Sequence, residues 1–175
     1  ICPDYAGSGQ TTDSGEPLQL DDLVAQIVAV ADDCGQTHFD LVGYSLGAVI
    51  AAALAARYPQ RVRSLVLVAG FAGGSDSRSE LQFGLWRSLI AHDTALMARF
   101  ILLTGCSPHW LSAQSSAALE KRVAAIVKYT QWEGMARQAD LDARVDIRAE
   151  LARIQAPTLV IAGEHDQMVP AAQTQ

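Results

Sequence analysis

The first strong pattern along the chain is amphipathic. Between residues 20 and 34 (LDDLVAQIVAVADDC), apolar residues recur every three or four positions, and Gly35 follows them. This spacing predicts a helix with one apolar face that stops at the glycine. The apolar positions are Leu20, Leu23, Val24, Ile27, Val28 and Ala31.

Three short apolar segments predict strands. They are HFDLVG (38–43), SLVLVAG (64–70) and the run at 156–163, and the last two are almost continuously apolar. Such runs are typical of parallel strands that are buried on both faces. Between the first two segments, LGAVIAAALAARYP (46–59) predicts a helix rich in small residues. The order strand, helix, strand predicts an α/β protein with a mostly parallel sheet and flanking helices.

The segment between the second and third predicted strands contains nearly ninety residues without a strand signal. It predicts helices at roughly 78–92, 94–103, 112–130 and 132–154. An insertion of this size exceeds what a crossover connection needs, so we expect a helical cap over one edge of the sheet. The predicted organisation is therefore a partial core at 1–71, a helical cap at 72–154, and a core strand with its following loop at 155–175.

Composition and charge narrow the functional classes. Half of the residues are hydrophobic and the net charge is −6, with RYPQRVR (57–63) as the densest basic segment, which argues against a nucleic-acid partner. Cys2, Cys34 and Cys106 are odd in number and form no CxxC pair, which favours reduced thiols in a cytoplasmic protein. The longest apolar helix, near 46–56, is too short to span a membrane. No segment has the spacing of a metal site.

The strongest chemical signal is Gly43-Tyr44-Ser45-Leu46-Gly47, a G-x-S-x-G pattern between a predicted strand and a predicted helix. A serine on such a turn is directed outward at the carboxyl end of the sheet, where it can act as a nucleophile. The N–H of Leu46, at the start of the helix, is then available to bind an oxyanion. The alternative is a glycine-flanked serine on an ordinary tight turn.

These residues resemble the α/β-hydrolase superfamily over essentially the whole chain. The opening segment, Asp4 to Thr11, resembles that family's Asp-x-x-Gly-x-Gly-x-Ser loop. The same segment contains GSGQT, but a phosphate-binding P-loop would need a lysine at Gln10, so we interpret it as a structural loop beside the site. The resemblance implies an esterase-like or enol-lactonase-like branch with a helical cap.

The resemblance also implies a catalytic acid at Asp166, within Gly163-Glu164-His165-Asp166-Gln167-Met168-Val169-Pro170. This carboxylate would orient the histidine of a catalytic triad. The four histidines present are His38, His92, His109 and His165, and each is interpreted as a surface or packing residue. The family places its histidine a few dozen residues after the acid, so we expect the catalytic histidine outside this sequence.

The sequence is accordingly expected to be a piece of a longer protein that lacks N-terminal strands, a second oxyanion donor and the histidine segment. We expect the piece alone to be poorly stable and inactive. The predicted function is a cofactor-free serine hydrolase for a small, largely apolar ester or lactone. A cofactor-free haloperoxidase, a C–C-bond hydrolase or lyase, and a non-catalytic binding protein remain alternatives, and the oligomeric state stays open. Aromatic residues in the cap, including Trp86, Trp110 and Trp132, are candidates for lining the pocket.

Overall fold

The computed structural model describes residues 1–74 and 76–173; the last two residues of the predicted 155–175 segment lie outside that range. Its sheet contains three parallel strands in the order β1 (Phe39–Tyr44), β2 (Val62–Val68) and β3 (Thr158–Ile161). The register pairs Tyr44 with Val68, and Val68 with Ile161. Because the strands are parallel, the segments that follow Tyr44 and Ile161 both leave the sheet at its carboxyl end. The predicted α/β class is confirmed.

Helices cover both the core and the insertion. Two helices belong to the core: α1 (Leu20–Asp33) and α2 (Leu46–Arg57). Five follow β2: α3 (Ser77–His92), α4 (Thr94–Gly105), α5 (Pro108–Ser112), α6 (Ser116–Tyr129) and α7 (Trp132–Arg144). Short 3₁₀ turns occupy Leu151–Arg153 and Ala171–Gln173. None of the helices in the described ranges is long and apolar enough to cross a membrane.

Helix α2 is the centre of the core. Every residue from Ala48 to Ala56 is buried, and the helix packs against β1, β2 and α1. Its many alanines allow a close approach to the sheet. At Gly43 the approach is closest, since a Cβ there would lie 2.3 Å from the carbonyl oxygen of Gly47 and 2.6 Å from Cα of Ala48. Only glycine fits at this crossing.

The helices of the insertion form one packed group. α3 packs against α4 and α7, and α4 packs against α6. The predicted helix at 112–130 begins later, at Ser116, because Ser115 caps it by accepting a hydrogen bond from the N–H of Ala118. The residues just before it form the separate short helix α5, which Ser107 caps.

The predicted helix at 132–154 is too long. It ends at Arg144, and the chain then becomes extended and pairs with the segment that follows β2. Gly74 donates to the carbonyl of Val145 (3.0 Å), and Ile147 donates to the carbonyl of Ala72 (2.8 Å). Hydrogen bonds to a distant segment therefore replace the helical ones, and the insertion leaves and rejoins the core at one point.

The outer edges of the sheet carry exposed apolar side chains. On β1, Val42 and Tyr44 are 69% and 67% exposed. On β3, Leu159, Val160 and Ile161 are also exposed. Apolar residues on open strand edges are a potential pairing surface.

Candidate active site

Ser45 lies on a strained turn between β1 and α2. Its backbone has φ 53° and ψ −124°, a conformation that is rare for residues other than glycine. Its N–H donates to the carbonyl of Val68 (3.0 Å), and its carbonyl accepts from Ala48 and Val49 in the first turn of α2. The backbone of Ser45 is thus held by both β2 and α2. Its hydroxyl does not cap the helix, so the side chain is available to the surroundings.

A cavity of about 480 Å³ opens in front of Ser45. Its walls come from the opening loop, the turn around Ser45, helices α3, α4 and α7, and the loop after β3. The lining residues used below are Asp4, Tyr5, Ser8, Ser45, Leu46, Trp86, Cys106, Met135, Gln138, Ala139, Asp142 and Met168. A second cavity of about 460 Å³ lies against β1 and α1 and does not include Ser45. Ser45 of the G-x-S-x-G turn therefore lies at the first cavity and not at the second.

Leu46 is the first residue of α2 and lines the same cavity. The first N–H groups of a helix have no acceptor in the helix itself, and they attract negative charge. Gly47 follows, with the hydroxyl of Tyr5 only 3.1 Å from where its Cβ would be. The start of α2 therefore offers a backbone donor next to Ser45, and Gly47 leaves room for Tyr5 beside it.

Asp166 lies on the loop after β3, at the carboxyl end of the sheet where Ser45 also lies, and it is half-buried. Its Oδ1 accepts hydrogen bonds from the N–H groups of Met168 (2.9 Å) and Val169 (3.0 Å). The loop is held on the insertion because Gln167 donates to the carbonyl of Thr104 (3.3 Å). Met168, two residues after Asp166, lines the cavity of Ser45. The fold thus brings the Asp166 loop to the cavity, while Asp166 itself is not one of the lining residues.

The four histidines lie elsewhere. His38, His92, His109 and His165 are all exposed, and none of them lines the cavity. His92 contacts the carbonyl of Ser88 in its own helix (2.8 Å). Their positions agree with the interpretation of surface residues. Within residues 1–74 and 76–173, no group of three or more His, Cys, Asp or Glu side chains is arranged to hold a metal ion.

The aromatic candidates in the insertion divide into two groups. Trp86 lines the cavity. Trp132 does not, because its indole N–H donates to the carbonyl of Val127 (3.1 Å) and the ring is engaged with α6. Trp110 packs under the guanidinium of Arg122, 4.9 Å from the ring centre. Trp86 is therefore the one tryptophan of the three that lies at the cavity.

Sequence reasoning missed Asp142. This residue of α7 lines the cavity but is only 6% exposed, and burial raises the pKa of its carboxyl to about 7. The signal was present in the sequence, since Met135, Gln138, Ala139 and Asp142 have the i, i+3, i+4, i+7 spacing of one helix face. Asp142 is thus the one ionisable side chain in a row of four residues that line the cavity.

Comparison with known proteins identifies the family. The family model described as the alpha/beta hydrolase fold matches residues 1–175. The chain therefore belongs to the α/β-hydrolase family, and the predicted resemblance to that family is confirmed.

Individual relatives agree with this assignment. A pyrrolizixenacetamide deacetylase from Xenorhabdus hominickii is 44% identical over 173 residues, which cover 99% of this chain and 65% of that protein. The crystal structure of a hydrolase from Pseudomonas aeruginosa PA01 is 27% identical with a TM-score of 0.82, covering 97% of this chain and 63% of the other. An enol-lactonase from Burkholderia xenovorans LB400 shares the fold, with a TM-score of 0.84 at 23% identity, covering 97% and 64%. The chain thus spans less than two thirds of the length of each.

Proposed function

We propose that the protein is a serine hydrolase in which Ser45 is the nucleophile. The observation that carries this proposal is the conformation of Ser45: a strained turn, fixed by β2 and α2, presents its side chain to a cavity of about 480 Å³. Backbone strain at a nucleophile is a recurrent feature of active sites because it fixes the direction of the reacting atom.

In the proposed reaction, Oγ of Ser45 attacks the carbonyl carbon of the substrate and gives its proton to a histidine base, which we expect outside residues 1–175. The N–H of Leu46 binds the developing oxyanion. The bond to the leaving group then breaks, and the leaving group takes the proton from the histidine. Water, activated by the same base, hydrolyses the acyl-enzyme and releases the acid. Asp166 orients the histidine throughout.

The scissile bond is proposed to be an ester, a lactone or an amide. The ester and the lactone are the substrate classes that the family resemblance of the sequence implies. The amide is added because the relative with 44% identity is named a deacetylase of pyrrolizixenacetamide. All three bonds are cleaved by the same attack on a carbonyl carbon.

The test is covalent labelling of the full-length protein with a fluorophosphonate, followed by peptide mass spectrometry. We expect one label, on Ser45, and loss of p-nitrophenyl ester hydrolysis by about 10⁴-fold or more in Ser45→Ala. Ser112→Ala is the matched control, because Ser112 is an exposed serine on α5 that does not line the cavity. A label on another residue, or hydrolysis by Ser45→Ala at the wild-type rate, would contradict the proposal.

A further inference from the structure

Arg78, the second residue of α3, contacts two carbonyl groups of the loop after β3. Its Nη1 donates to the carbonyl of Met168 (3.3 Å), and its Nη2 donates to the carbonyl of Gln167. A guanidinium group is planar and presents its N–H groups as a fork, so one side chain can hold two successive carbonyls. The insertion therefore contacts the loop at the two residues that directly follow Asp166.

The same two peptide groups bind Asp166 on their other side. The N–H of Met168 shares a peptide with the carbonyl of Gln167, and the N–H of Val169 shares one with the carbonyl of Met168. Both N–H groups donate to Oδ1 of Asp166 (2.9 and 3.0 Å). In a planar trans peptide the C=O and the N–H point in opposite directions, so the direction of one fixes the direction of the other. Two peptides thus connect the guanidinium group of Arg78 with the carboxylate of Asp166.

Both ends of this connection are fixed by further hydrogen bonds. The N–H of Arg78 donates to Oδ1 of Asp76, the residue that caps α3 (2.9 Å). On the loop, the N–H of Gln167 donates to the carbonyl of Thr104 in α4 (3.3 Å). α3 and α4 pack against each other, so the two helices hold the loop together.

The charge of Arg78 adds to this geometry. Hydrogen bonds from a charged donor are stronger than those between neutral groups. A carbonyl that accepts such a bond also makes the N–H of its own peptide a stronger donor, because hydrogen bonds in a chain polarise one another. Arg78 therefore strengthens the two N–H groups that hold Oδ1 of Asp166. With Oδ1 engaged in this way, Oδ2 is the oxygen that we expect to face the histidine.

We propose that Arg78 is a positioning residue, which acts through the two peptides after Asp166 and holds this carboxylate in the orientation that accepts from the catalytic histidine. The inference rests on the proposed function, in which Asp166 orients that histidine. It goes further because it gives a residue of the insertion a role in the reaction. Arg78 does not line the cavity of Ser45, so it acts without touching the substrate.

The experiment is a double-mutant cycle in the full-length protein, measured by hydrolysis of p-nitrophenyl acetate. We expect Arg78→Ala to lower kcat/KM about tenfold. Asp166→Asn should lower it about 10³-fold or more, because the asparagine keeps an oxygen for the two N–H groups but presents a donor where the histidine needs an acceptor. In that background Arg78→Ala should change kcat/KM by less than about twofold, since no carboxylate is left to position. A merely structural role of Arg78 would give the same factor in both backgrounds.

Further substitutions separate the charge of Arg78 from its packing. Arg78→Lys keeps the charge and a donor, so it should retain more activity than the neutral Arg78→Gln. Arg87→Ala is the matched control, because Arg87 is also an exposed arginine of α3, but it pairs with Asp140 and does not line the cavity. We expect this control to remain within about twofold of the wild type. If Arg78→Ala does not fold, Arg78→Gln takes its place in the cycle.

Equal factors for Arg78→Ala in the two backgrounds would overturn the inference, as would wild-type activity of Arg78→Ala beside an inactive Asp166→Asn. Failure of the proposed function is a different result. In that case Asp166→Asn or Ser45→Ala would hydrolyse the ester at the wild-type rate, and the role of Arg78 would fall with it.

Discussion

Gly7 in the opening loop and Gly134 in α7 are in direct backbone contact. A Cβ on Gly134 would lie 1.8 Å from the carbonyl oxygen of Gly7, and a Cβ on Gly7 would lie 2.9 Å from Cα of Gly134. Two side-chain contacts accompany this one: an ion pair of Arg137 with Asp13, and a hydrogen bond from Gln138 to the hydroxyl of Ser8 (2.7 Å). The loop that lines the cavity is thereby fixed on the insertion.

We expect Gly134→Ala to destabilise the protein by about 1–3 kcal/mol, because the new methyl group meets backbone atoms that have no room to move. Ester hydrolysis should fall as well, since the displaced loop carries Tyr5 and Ser8 at the cavity. Urea unfolding and kcat/KM measure the two effects.

The matched control for this substitution is Gly84→Ala. Gly84 is inside helix α3, and a Cβ there would meet nothing within 4 Å. Alanine is a better helix former, so this variant should gain up to about 1 kcal/mol. If both variants changed stability by the same amount, the close contact between α7 and the opening loop would not exist as described.

Arg57 at the end of α2 makes two ion pairs of unequal quality. It contacts Glu150 through two hydrogen bonds (2.7 and 2.9 Å), and it contacts Asp21 through one (2.7 Å). Asp21 is 84% exposed at its side chain, whereas Glu150 is 19% exposed. We expect Glu150→Gln to lower the free energy of unfolding by about 1–2 kcal/mol and Asp21→Asn by about 0.5 kcal/mol or less. Chemical denaturation at two salt concentrations checks the order, and an inverted order would be inconsistent with the bidentate geometry.

Ser45 offers a test of strain that is separate from its chemistry. Ser45→Gly and Ser45→Ala both remove the hydroxyl, but only glycine adopts φ 53° and ψ −124° without a steric penalty. We expect Ser45→Gly to be more stable than Ser45→Ala by about 1 kcal/mol, after the larger entropy of glycine in the unfolded chain is included. Thermal unfolding of the two variants provides the comparison. Equal stabilities would mean that the turn is not strained in solution.

The parts of the fold that are local in sequence were predictable. The strand before Ser45 and the helix after it follow from an apolar run, two glycines and a row of alanines, all within twenty residues. The helix predicted to 154 is an instructive error. Val145 and Ile147 are buried apolar residues that extend the pattern past Arg144, but their backbone pairs with Ala72 and Gly74, far away in sequence. Long-range pairing of this kind leaves no local signal.

The candidate site divides in the same way. Ser45, Leu46 and Asp166 were assigned from short motifs, and the fold brings the loops that carry them to the carboxyl end of the sheet. Asp142 and Trp86 belong to helices, and the packing angle of each helix decides which of its faces meets the cavity. The spacing of residues in the sequence therefore placed Trp86 only among several aromatic candidates. It did not identify Asp142.

Asp142 should make stability depend on pH in a predictable direction. Burial raises the pKa of its carboxyl from 3.8 to about 7 in the folded protein. Between about pH 4 and 7, the unfolded chain has lost this proton while the folded protein retains it. The free energy of unfolding therefore falls as pH rises through that window, and the contribution levels off by about pH 8. The loss totals on the order of 4 kcal/mol.

Asp142→Asn isolates this contribution, because the asparagine does not titrate. The other titratable groups that line the cavity, Asp4, Tyr5, Tyr44 and Cys106, are the same in both proteins. Relative to the wild type, Asp142→Asn should become progressively more stable from about pH 4 to 7, and the difference should level off by about pH 8. Urea unfolding of both proteins across this range measures the difference. A constant difference from pH 5 to 8 would show that the carboxyl ionises near its ordinary pKa, and the cavity wall at Asp142 would then have to be open to water in the folded protein.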